Sequence, residues 1–203
     1  NFFDKKSRCR KLSNFVATKN IASIVVALSL DFASTSLQAA DEKPAAVYNT
    51  KQTVEYLNKL KNDSLQTAHN FGRLVVQSNG GRMKPLSTLN REIIQKLSGK
   101  ASMLGMTSDQ LILGMLSTPD IWKDVKMIKI QTPKLKKFLG VDVNEKYLAF
   151  SEVFKDGNYL LADEAEKALQ TKPIERGTYE RDIIKIDERL NIMYSVFNGS
   201  LFN

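Results

Sequence analysis

The chain has 203 residues, of which 42% are hydrophobic and 26% charged, and its formal net charge is +8. That is enough for one ordinary domain with a real core plus a tail, and it excludes a disordered or collagen-like chain. One cysteine, Cys9, and one histidine, His69, exclude an intrachain disulfide, a CxxC redox pair and the usual zinc spacings.

Much of the charge is local. Lys5, Lys6, Arg8, Arg10, Lys11 and Lys19 oppose only Asp4 in the first thirty residues, giving +5 there and leaving +3 for the remainder. A domain-wide nucleic-acid footprint is therefore not favoured. The basic cluster precedes an apolar run, Ile21 to Leu30, and small residues around Ala39, an arrangement like that of a secretory signal peptide. The alternative is a membrane helix over 21–37, at the short limit for spanning, in which Asp31 costs about 2.5–3.5 kcal/mol. Either reading places the remainder of the chain outside the cytoplasm. The expected plan is a basic flank with a signal-like or anchor segment (1–40), a linker (41–49) and one extracytoplasmic domain (50–203). The first residue is Asn, so the chain is expected to be a processed product or an excerpt from something longer.

Thr50 to Phe71 reads as a helix, with Val54, Leu57, Leu60, Ser64, Leu65 and Ala68 as its stripe. His69, near the helix end, is expected to interact with the last carbonyls rather than with a metal or heme. Leu74, Val75 and Val76 are β-prone; Asn79, Gly80 and Gly81 tolerate the positive φ of a tight turn; and Arg82, Met83 and Lys84 lead back to Pro85. The spacing predicts a hairpin near 72–85. A helix comes next, capped by Ser87 or Thr88, with Leu89, Ile93, Ile94 and Leu97 on one face and Gly99 as its stop.

Thr107, Ser108 and Asp109 offer caps for a helix over Gln110 to Leu116, in which Gly114 marks close packing or a weak spot. Trp122 reads as core filler. Val125 to Ile130, VKMIKI, alternates as a strand does and is expected to pair with Leu74–Gln77 in a three-stranded sheet, with Lys126 and Lys129 guarding the edge. Pro133 opens a short helix, Lys134 to Leu139, closed by Gly140, with Lys134, Lys136 and Lys137 on a solvated face. Lys146 to Phe154 is ambiguous between helix and strand. Asp156-Gly157-Asn158 is a turn, and Ala162 to Thr171 a short helix stopped by Pro173. Thr178 is expected to cap a last helix, Tyr179 to Asn198, whose Ile183, Ile186, Leu190, Met193 and Phe197 form a seam. Asp187 and Glu188 face different directions and read as solvated. The fold class is α+β, mainly α, with a small antiparallel sheet.

The phrase FGRLVVQSNGGRMKPLSTLNREIIQKLSGK from Phe71, with Leu111 to Met115, Trp122 to Ile130 and Asp187-Glu188-Arg189-Leu190-Asn191, resembles the soluble segment of the fused ResB/CcsA cytochrome c synthases. These are the System II heme-attachment machines of bacterial inner membranes. The resemblance covers roughly Tyr56 to Asn203, and because the family segment continues toward further membrane helices it implies that the domain 50–203 is truncated at its C-terminus. It implies an extracytoplasmic segment at the inner membrane, facing the periplasm, that works beside the membrane parts of the synthase and the apocytochrome c. Heme is implied for the parent family. That family's tryptophan-rich WWD segment is absent from this sequence, so none of its heme ligands carries over.

No phosphate loop, dinucleotide motif or Ser/His/Asp set is present, and no catalytic, cofactor-binding or metal residue is assigned. The reading is a non-catalytic scaffold or docking surface for the apocytochrome or other maturation partners. The alternative is a basic peripheral module whose Lys126, Lys129, Lys134, Lys136 and Lys137 hold it to anionic membrane or nucleic acid.

Overall fold

The computed structural model describes residues 50–77, 81–155 and 158–201. The signal or anchor segment expected at 21–37, the linker at 41–49, and the turn residues Asn79, Gly80, Asp156 and Gly157 lie outside the described residues. Among the described residues, no helix is long and apolar enough to cross a membrane.

Helices dominate, as expected. The predicted Thr50–Phe71 helix is two, α1 (Thr50–Asp63) and α2 (Leu65–Gly72). The break is at Ser64, whose hydroxyl turns back onto the Leu60 carbonyl at 2.5 Å. Side-chain intrusion of this kind loosens a helical ladder and kinks it. Tyr56, Leu57, Leu60 and Ala68 face the core, whereas Val54 and Leu65 of the expected stripe are more than half exposed.

Strands β1 (Val75–Gln77) and β2 (Met83–Pro85) form the expected hairpin, with Val75 opposite Pro85 and Gln77 opposite Met83. Gly81 takes φ +82 where the return strand begins. Helix α3 (Leu86–Ser98) starts directly on Pro85. Neither Ser87 nor Thr88 caps it. The chain enters the helix straight from the strand, and the Leu86 N–H donates to the Leu74 carbonyl, extending the ladder by one bond. Gly99 stops the helix in the left-handed conformation, φ +77.

Thr107 caps α4 (Ser108–Ser117) in a full capping box with Gln110. Gly114 is where α4 is tightest. A Cβ there would come within 2.6 Å of Leu60 Cδ2 and 2.8 Å of Trp122 Cζ2, so the glycine lets α1 and the indole close onto the helix. A short helix α5 (Pro119–Trp122) comes after it, and Trp122 is fully buried core, as expected.

The expected strand over Val125–Ile130 shrinks to β3 (Ile128–Lys129). Met127 and Ile128 are neighbours and both fully buried, so the alternation breaks in mid-run. Its partner is β4 (Tyr147–Leu148), not the hairpin, and the three-stranded sheet does not form. Between them lies α6 (Pro133–Phe138). The ambiguous stretch resolves into β4, a 3₁₀ turn (Ser151–Val153) and β5 (Phe154–Lys155), which pairs with β6 (Asn158–Tyr159).

Helices α7 (Ala162–Gln170) and α8 (Thr178–Phe197) complete the described chain. Gly177, not Thr178, takes the N-cap position of α8. The seam of Ile183, Ile186, Leu190 and Met193 is buried, and α8 packs against α3, α4, α6, α7 and β3. Each such side chain contributes roughly 1.5–3 kcal/mol on burial, which makes α8 the axis of the core.

Candidate functional site

The hairpin and the helices at its root make the most distinctive surface. Lys84, on the inner face of the ribbon, pairs with Glu92 of α3 at 2.6 Å. At the root, Gly72 ends α2 against the start of α4, so close that a Cβ there would collide with the Asp109 carboxylate. Asp109 in turn accepts from buried Asn90 of α3 at 2.8 Å, tying the two helices together. The strands beyond this root are uncovered. Leu74 is 57% exposed, Val75 58% and Met83 61%.

His69, Gly72, Arg73, Pro85, Ser87 and Asp109 line a shallow pocket of about 250 Å³ at the same root. His69 is exposed in the last turn of α2. The pocket is smaller than the roughly 300–1,000 Å³ of ordinary ligand sites, and most of its lining residues are polar or charged, whereas heme needs a large apolar slot. These residues do not fit heme. Among the described residues, no group of three or more His, Cys, Asp or Glu side chains is arranged to hold a metal ion.

The five lysines of the alternative basic module have different surroundings. Lys126 binds Glu145 at 2.8 Å and sits 3.6 Å from Glu152; the Glu145 hydrogen bond is the main cause that holds its pKa above the ordinary lysine value. Lys129 is half-buried with its stem against Gly99. Lys134 lies over the Tyr179 ring at 4.3 Å, a cation–π contact. Lys136 corrects the solvated-face expectation: it is buried, and its ammonium donates to the Val143 carbonyl at 2.6 Å. Lys137 is exposed on α6, as expected.

The acidic pair on α8 is also corrected. Asp187 is buried, not solvated, and accepts from the Tyr159 hydroxyl at 2.9 Å, while Asn191 donates to its carbonyl at 2.8 Å. Arg189 reaches the carbonyls of Lys96 and Lys129, and burial pulls its pKa below the usual guanidinium value. The Asp187–Asn191 phrase is thus a set of internal braces. Only Glu188 of the five is exposed.

Sequence reasoning missed Gln110. Its amide closes the capping box and also donates to the Lys61 carbonyl (3.0 Å) and the Ser64 hydroxyl (3.1 Å), at the α1–α2 break. The signal available was Thr107-x-x-Gln110 alone, which says nothing of a partner 46 residues away in sequence.

No protein-family model matches the chain. The chain is similar to Protein NrfI of Wolinella succinogenes, with 46% identity over 148 residues. The match takes in 72% of this chain but spans only 16% of that relative. At that length it includes the hairpin and α3 wherever it begins.

Proposed function

We propose that the chain is an extracytoplasmic segment of a cytochrome c biogenesis protein, in which it is a non-catalytic scaffold presenting a docking surface to the apocytochrome or to another maturation factor. The carrying observation is the Phe71–Leu97 stretch, which bears the phrase that resembles the heme-attachment family and falls inside the similarity to Protein NrfI. The braces of α8 are consistent with a rigid support. Heme chemistry and the membrane-embedded parts belong, in this reading, to the rest of the longer protein, held in the inner membrane with this segment toward the periplasm.

The test is made in the parent protein. Gly114→Leu drives a side chain into Leu60 and Trp122 and unfolds the segment while leaving membrane helices untouched. Covalent heme on c-type cytochromes, read by heme staining of gels, should then disappear while the parent protein remains in the membrane. Undiminished attachment would overturn the reading.

A further inference from the structure

We infer that the β1–β2 hairpin is a membrane-contact element that seats on anionic lipid headgroups. From Ser64 to Arg91 the chain carries no Asp or Glu, while Arg73, Arg82, Lys84 and Arg91 are cationic. Lys84 is committed to Glu92. Arg73, Arg82 and Arg91 are exposed and have no ion pair among the described residues. Glu92 is taken up by Lys84, and Asp109 at the root is held by Asn90 beneath Gly72. Exposed Val75, Met83 and Pro85 on one face of the hairpin, with exposed arginines within it and in the segments that lead into and out of it, are complementary to phosphate headgroups above an acyl layer.

An exposed apolar face accompanied by unpaired arginines favours an anionic lipid surface. Val75, Met83 and Pro85 share the outer face of the ribbon by register, and all three are exposed. On the opposite, inner face Val76 and Lys84 are half-buried, while Leu74 at the root of the hairpin is exposed. A two-stranded hairpin is also marginal by itself. The Leu86–Leu74 bond ties the root of its two strands to the start of α3. This surface is the whole basis for membrane contact, which does not depend on the cytochrome reading.

The test uses the full chain with Cys9→Ser and Met83→Cys, so that a polarity-sensitive dye sits at position 83 only. Vesicles of phosphatidylcholine with phosphatidylglycerol should shift the dye emission to the blue, and lipid-borne bromine should quench it. Vesicles of phosphatidylcholine alone should do neither. Because the readout is at the hairpin, partitioning through the apolar run at 21–30 does not mimic it. Arg73→Gln, Arg82→Gln and Arg91→Gln, all at exposed positions, should each weaken the response about fivefold, and together about a hundredfold. A dye at Ile174, 89% exposed in the α7–α8 loop, should stay in water. The proposal is overturned if the dye at 83 ignores anionic vesicles, responds equally to neutral ones, or shifts no more than the dye at 174. It is likewise overturned if an acidic protein shields the hairpin and vesicles do not.

Discussion

Gly114 and Gln110 decide how α1, α2 and α4 fit together. Gly114→Ala would raise helix propensity by about 1 kcal/mol, but the methyl meets the Trp122 ring, which has no room to turn. Overpacking of this kind costs about 1–3 kcal/mol, so the urea midpoint should fall rather than rise. Gln110→Ala strands the Lys61 carbonyl and opens the capping box; a loss of about 1–3 kcal/mol is expected. Gln110→Glu should do at least as badly, because a carboxylate cannot donate to that carbonyl. Denaturation midpoints, with hydrogen exchange at residues 61–65, check both. The tightness at Gly114 was legible, since a glycine inside an apolar helix asks for a reason. The role of Gln110 was not, because its partners lie in another helix and a side-chain amide carries no sequence periodicity.

Among the elements, helices and caps of local origin were legible: Thr107, Gly99 and the α8 seam are each set by neighbours within a few residues. The pairing of strands was not. β3 and β4 are two residues each, too short to show a period, and the choice of β4 over the hairpin is made by burial of Met127 and Ile128 together. Burial of Asp187 and Lys136 was equally hidden, because each is satisfied by a partner far from its own helix turn. The α7–α8 pair carries a pH dependence. The Lys167 hydrogen bond, aided by Tyr179, holds the Glu164 carboxyl below its ordinary range. A lowered folded value means the contribution is present above the ordinary carboxylate pKa and is lost as pH falls through the folded value. Lys167 is exposed and solvent screens the contact, so the effect is small. The melting temperature should decline slightly below about pH 4.5, and Glu164→Gln should flatten that decline.

For the whole molecule, the expectation of an α-rich fold with small antiparallel pairing holds, and of the five lysines of the alternative basic module Lys126 is ion-paired and Lys136 buried. The pocket at the hairpin root carries a molecule-wide prediction. Titration of the purified chain with hemin should give no stoichiometric Soret shift, and His69→Ala should leave that result unchanged. A saturable band lost in His69→Ala would show that His69 ligates heme after all. The place of His69 at a helix end was legible in the sequence, but the shallow pocket beside it was not, because walls of the pocket come from α3 and α4.

The position of α8 along the chain has its own consequence. Residues 178–197 close a core to which residues as early as 86–98 contribute. A polypeptide that emerges from its N-terminal side first, whether from a ribosome or through a translocation pore, therefore cannot consolidate its early helices until Thr178 onward has arrived. An arrested nascent chain lacking that helix should remain open to protease throughout, and should become resistant in a single step once the helix is released.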